Sequence, residues 1–259
     1  MEIAKINNTK VHFHYEDNGH KEVLIFSNSL GCNLSMWSEQ IAYLKNHVNL
    51  LTYDTRGHGK SEVTPGEYTT ELLGKDVLAL ADRLHIEKFS FCGLSMGGLI
   101  GQWLGIHAGN RLNRLILANT AAKIGTETGW NDRIAFVKKN GMDSLAEGSK
   151  ERWFTNEFRS SHPDIVQDLA NQIIHIDVNG YMGNCAAVRD ADFREDLNQI
   201  VSKTLIISGN KDEVTTVEHG KFLEKGIPNA THVQVRAAHL SNVEKAQEFS
   251  EQVLQFIQK

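Results

Sequence analysis

Short apolar runs alternate with stretches of helical spacing through the first half of the chain. Val23 to Phe26 is an uninterrupted apolar run, the pattern of a strand covered on both faces. Val11 to Tyr15 alternates apolar and polar side chains, which predicts an antiparallel strand with one exposed face. Residues 35–46 place Met36, Ile41 and Leu44 on one helical face. A strand over Val48–Tyr53, a loop over Asp54–Ser61 and a helix over Thr69–Leu84 follow. The next apolar run, from Phe89 to Cys92, leads into a helix over Met96–His107 and a strand over Leu112–Leu117. Strand and helix in alternation predict an α/β fold with a mostly parallel sheet flanked by helices.

Between Ala122 and Glu195 the alternation stops. Trp130, Trp153, Phe154 and Phe158 stand among charged residues at helical spacing, with few β-branched runs. This stretch reads as a helical cap, 122–195, inserted into a core made of 1–121 and 196–259. The strand signal returns at Thr204–Ser208, then a helix over Val217–Lys225, a strand over His232–Val235 and an amphipathic helix over Val243–Ile257.

A chain of 259 residues with 41% hydrophobic content can bury one large core with an insertion. The net charge of −5 is mild and no basic block or aromatic-laced Lys/Arg stripe occurs, so neither nucleic acid nor an anionic membrane is an expected partner. Cys32, Cys92 and Cys185 are odd in number and widely spaced, which predicts reduced thiols rather than disulfides or metal ligands. The N-terminus lacks a positive segment followed by an apolar one, and no run of about eighteen apolar residues occurs. A soluble cytoplasmic protein is expected. His12 and His14 share one face of a strand, but no further ligand stands at metal spacing, and no metal or organic cofactor is expected.

The segment Phe91-Cys92-Gly93-Leu94-Ser95-Met96-Gly97-Gly98 carries the chemistry. A buried strand breaks at a glycine, offers a serine and passes through two glycines into a helix, which is the pattern of a nucleophile elbow. Alone, Gly-x-Ser-x-Gly is common enough to arise by chance. A serine hydroxyl needs a base and a group that orients the base. In elbow hydrolases these follow in the order Ser, acid, His at strand ends. Asp212 follows the strand ending in Ile206-Ile207, and His239 lies between the last strand and the last helix. Asn119, at the rival acid position, cannot carry the charge that stabilises an imidazolium. Asp190, Asp192 and Asp196 read as helix caps or solvated carboxylates. The developing oxyanion would be met by the backbone N–H of Met96 and by that of Leu30, in the loop Ser27-Asn28-Ser29-Leu30-Gly31-Cys32. Asp54-Thr55-Arg56-Gly57-His58-Gly59-Lys60-Ser61 has the wrong glycine spacing for a phosphate loop and reads as a structural turn beneath the site.

Together these residues resemble the α/β-hydrolase superfamily along essentially the whole chain. Gly101-Gln102-Trp103-Leu104-Gly105, Asn119-Thr120-Ala121-Ala122-Lys123-Ile124-Gly125 and Ala237-Ala238-His239-Leu240-Ser241-Asn242 carry a finer resemblance to the 3-oxoadipate enol-lactonases of the β-ketoadipate pathway. The resemblance implies a carboxylic ester hydrolase that opens a small anionic lactone through an acyl-enzyme on Ser95, during degradation of aromatic compounds. Dehalogenases and epoxide hydrolases place an aspartate where this chain has Ser95. A general carboxylesterase with the same triad and a non-catalytic receptor with a hydrolase fold remain alternatives. Such a substrate carries a carboxylate, which calls for a cation, ideally a bidentate arginine. Arg133, near Trp130, is the first candidate, with Arg189, Lys123 and Arg152 behind it, and Trp130 and Trp153 are candidate pocket walls.

Overall fold

Eight strands form a single sheet in the order β1-β2-β4-β3-β5-β6-β7-β8 in the computed structural model, which describes residues 2–259. The strands are β1 (Glu2–Ile6), β2 (Thr9–Glu16), β3 (Val23–Ser27), β4 (Asn49–Tyr53), β5 (Phe89–Leu94), β6 (Leu112–Ala118), β7 (Thr204–Gly209) and β8 (Ala230–Val235). Strand β2 runs antiparallel to both β1 and β4, and every pairing from β4 to β8 is parallel. The parallel strands β3, β4 and β5 are buried at every position, in keeping with their largely apolar sequences.

On the sheet pack α1 (Ser38–Leu44), α2 (Thr70–Arg83), α3 (Met96–His107), α9 (Val217–Gly226), the short α10 (Ser241–Glu244) and α11 (Ala246–Ile257). Between β6 and β7 lie five consecutive helices, α4 (Glu127–Asn140), α5 (Asp143–Trp153), α6 (Asn156–Ser161), α7 (Pro163–Ile174) and α8 (Val178–Asp190). The expected mostly parallel sheet with flanking helices is therefore the fold observed.

Several local expectations change. The helix expected over 35–46 is a 3₁₀ turn, Leu34–Trp37, followed by α1, and the last helix is broken after Glu244 into α10 and α11. The face of β2 that carries His12 is not exposed: His12 Nδ1 lies 2.7 Å from Asp54 Oδ2 in a buried pair, whereas half-buried His14 meets Glu16. Of the two readings for Asp190 and Asp192 the solvated one holds: both are exposed, paired with Arg189 and Arg194, and neither caps a helix. The three cysteines are buried free thiols. Among the described residues no helix is long and apolar enough to cross a membrane.

The strand order reverses direction between β3 and β5, since β4 lies on one side of β3 and β6 on the far side of β5. In open parallel sheets, ligands gather at the carboxyl ends of the strands beside such a switch point. The loops after β3 and β5 both open there, joined by a hydrogen bond from Gly97 N–H to Asn28 O (3.1 Å).

Candidate active site

The turn from β5 into α3 holds Ser95 at φ +57°, ψ −113°, a conformation that costs an L-residue energy and turns its side chain out of the strand. Only glycine fits on either side. A Cβ at Gly93 would stand 2.0 Å from Gly97 O, and one at Gly97 would stand 2.2 Å from Ser27 O. The strain is held in place by Ser95 N–H donating to Ala118 O (2.9 Å) and by Thr120 Oγ1–H donating to Ser95 O (2.8 Å).

Asp212 and His239 come from the loops after β7 and β8 and meet at 2.8 Å, Nδ1 to Oδ2, both almost fully buried. With Nδ1–H donating to the carboxylate, Nε2 is left as the basic nitrogen of the neutral ring. The carboxylate is saturated. Its Oδ1 accepts from the N–H groups of Val214 (2.8 Å) and Thr215 (3.0 Å), and its Oδ2 from Thr215 Oγ1 (2.7 Å) and Asn119 Nδ2 (2.9 Å). Burial alone would raise the Asp212 pKa. The charge and hydrogen bond of His239, with those from Asn119 and Thr215, outweigh burial and hold it at about 2.

Asn119 occupies the rival acid position at the end of β6 and serves instead as a donor to Asp212. It sits at φ +42°, and Ser241 Oγ–H donates to its Oδ1, which orients the amide. Asn119→Gly tolerates that φ and deletes the donor. A hydrogen bond to a charged group contributes about 1.5–3 kcal/mol, but Asp212 keeps its other donors. The expected loss is about tenfold in kcat on an activated phenyl ester, read by steady-state kinetics.

Ser95 and His239 line one cavity of about 360 Å³ together with Leu30, Trp130, Trp153, Arg133 and Arg152. Ser95 Oγ and His239 Nε2 are not hydrogen-bonded to each other, a contact that commonly tightens only in the substrate complex. Among the described residues, the N–H groups of Leu30 and Met96 donate to no protein acceptor, so both remain available to an oxygen in the cavity. A larger groove of about 1230 Å³ shares Arg152 and Val214 with this cavity but is lined by neither Ser95 nor His239.

The four candidate cations separate cleanly. Arg189 is forked onto Glu67 and Asp190, and Lys123 is paired with Asp192 at 3.5 Å. Arg133 and Arg152 both reach the cavity, and among the described residues neither is ion-paired. Arg133 Nε–H donates to Tyr181 Oη (2.7 Å), and its guanidinium stacks 5.8 Å from the Trp130 ring and 5.7 Å from that of Tyr181. Arg152 Nη2–H donates to Ser149 Oγ (2.9 Å). Burial, and then the neighbouring charge of Arg133, pull the Arg152 guanidinium below its ordinary value. Two partly desolvated cations facing one small cavity make a site for an anion.

Tyr181 and Thr215 are site residues that sequence reasoning missed. Both act through other side chains, and no motif in the sequence marks such a role.

A family model described as the alpha/beta hydrolase fold matches residues 22–246. The chain is 46% identical to 3-oxoadipate enol-lactonase 2 of Acinetobacter baylyi over 90% of this chain and 87% of that one. It is 42% identical to 3-oxoadipate enol-lactonase 1 of the same organism over 87% and 85%. The crystal structure of the enol-lactonase from Burkholderia xenovorans superposes with a TM-score of 0.97 at 40% identity, covering 100% of both chains. The chain is a hydrolase of the α/β-hydrolase fold and belongs to the family of the 3-oxoadipate enol-lactonases.

Proposed function

We propose that the chain opens the ring of 3-oxoadipate enol-lactone to give 3-oxoadipate, in the degradation of aromatic compounds, through an acyl-enzyme on Ser95. One observation carries the choice of an anionic lactone over esters in general. Arg133 and Arg152 stand without ion-pair partners among the described residues, in the same small cavity as Ser95 and His239. A carboxylate on the substrate would occupy them, while Trp130 and Trp153 wall the ring. In this reading 122–195 acts as a cap closing the site over a core of 1–121 and 196–259, and the net charge of −5 makes local cations necessary.

Ser95 Oγ attacks the lactone carbonyl while His239 Nε2 takes its proton. The tetrahedral oxyanion is met by the N–H groups of Leu30 and Met96, and Asp212 stabilises the imidazolium. Collapse expels an enolate, a better leaving group than an alkoxide, but one tethered to the acyl group and able to reclose the ring. Proton return from His239 and ketonisation remove that route. Water, deprotonated by the same histidine, then attacks the acyl-enzyme and frees Ser95. The overall change is addition of one water across the lactone bond.

Arg133→Met and Arg152→Met are each expected to raise KM for the enol lactone about 10- to 100-fold, the weight of a charge-assisted hydrogen-bond pair. Turnover at saturation should change less than about threefold, because the carboxylate is held equally in ground and transition states. A neutral p-nitrophenyl ester should be hydrolysed as by the wild type. Equal losses on both substrates would contradict the anchoring role.

A further inference from the structure

The segment Asp54–Ser61 contributes no group to the reaction described above, yet it grips the oxyanion loop from behind. Ser29 to Cys32 forms a tight turn closed by Cys32 N–H donating to Ser29 O (3.1 Å), with Gly31 at φ +89°. That φ at the third residue matches a type II turn. In such a turn the central peptide, Leu30–Gly31, can flip to the type I arrangement unless something holds its N–H. Here Gly31 N–H donates to His58 Nε2 at 3.0 Å, in a buried contact. Farther along the loop, Leu34 N–H donates to Asp54 Oδ1 at 2.8 Å.

We infer that His58 is a positioning residue of the oxyanion hole, its Nε2 lone pair fixing the turn that presents the Leu30 N–H to the cavity. This rests on the serine-hydrolase reading above. His58 is itself anchored. It is 1% exposed, and its Nδ1 lies 3.1 Å from Asn184 Nδ2, whose two hydrogens go to Arg56 O (2.7 Å) and Gly180 O (2.8 Å). Nδ1 therefore carries the ring proton, directed at the Arg56 carbonyl, and Nε2 is the acceptor. Burial pushes the imidazole down to about 4, so the ring is neutral and the lone pair present at neutral pH. Arg56 in turn forks onto buried Asp76 of α2 (2.8 and 2.7 Å). The chain of contacts thus runs from α2 through Arg56 and His58 to Gly31. It ends on a backbone donor, where a misplacement of about 1 Å can cost about a hundredfold.

The test compares His58→Gln with His58→Met, which are nearly isosteric but differ in whether an acceptor stands where Nε2 stood. The substrate is a neutral p-nitrophenyl ester, so the outcome does not depend on the lactone. Methionine is expected to lower kcat about 10- to 100-fold with KM within about threefold, and to weaken a phenylboronic acid, which forms a tetrahedral adduct on Ser95, by a similar factor. Glutamine is expected to restore most of both. His58→Asn, which keeps a donor for the Arg56 carbonyl but no acceptor for Gly31, should behave like methionine if methionine does not fold. Equal kcat for the glutamine and methionine variants, or a boronate affinity unchanged while kcat falls, would overturn the positioning role. A wild-type protein that hydrolyses neither the ester nor the enol lactone would instead overturn the hydrolase reading on which it stands.

Discussion

Ser95→Ala is expected to lower turnover of the enol lactone about a millionfold, the scale on which triad hydrolases lose rate with their nucleophile. The variant keeps the N–H groups of Leu30 and Met96 and the Arg133–Arg152 pair, so substrate should still bind with a KM or Kd close to that of the wild type. The fold should also survive, because alanine places a Cβ in the same strained turn, which the N–H and carbonyl bonds of residue 95 continue to hold. A fluorophosphonate should label the wild type at one position, found by peptide mass mapping to be Ser95, and should leave the variant unlabelled. Tight ligand binding by a wild-type serine that resists the reagent would favour a receptor over an enzyme.

Asp212→Asn carries the second-largest expected loss, about ten-thousandfold in kcat. The carboxylate fixes the Nδ1–H tautomer of His239 and balances the positive charge that the ring acquires. An amide can present its NH₂ to Nδ1 and invert that tautomer, leaving the proton on Nε2, where the base is needed. Stability should change with pH as well. The folded-state pKa of Asp212 lies at about 2, below its ordinary 3.8, so the stability it contributes is present above about pH 4 and is lost as pH falls toward 2. The size is about 2 kcal/mol. Urea midpoints measured at pH 5 and pH 2.5 should fall more steeply for the wild type than for the variant, and parallel falls would contradict this assignment.

The central parallel strands β3 and β5 were legible because they are short, largely apolar and buried on both faces, and Gly93 and Gly97 because the elbow has no room for a Cβ. Strand β1 was not. Only Ala4 and Ile6 of its five residues are buried, while Ile3 is exposed, so it lacks an apolar run, although Asn7 and Asn8 at positive φ are a recognisable hairpin turn. Asp212 and His239 could be found from their places after strands. The roles of Asn119 and His58 could not, because each acts through a contact between segments far apart in sequence, and that of Thr215, three residues after Asp212, has no motif to mark it. The same holds for the cations. Arg133, Arg152, Arg189 and Lys123 look alike in one dimension, and only folding reveals that Glu67, Asp190 and Asp192 neutralise two of them.

The carboxylate-anchored lactonase reading is tested by the ratio of kcat/KM for 3-oxoadipate enol-lactone to that for neutral p-nitrophenyl acetate, measured on the wild-type protein in one buffer. Both substrates would use Ser95, His239 and the same two N–H donors, and only the lactone carries a carboxylate for Arg133 and Arg152. A preference for the lactone of at least about a hundredfold is expected, the weight of one strong charge-assisted contact. Equal or faster turnover of the neutral ester would contradict it.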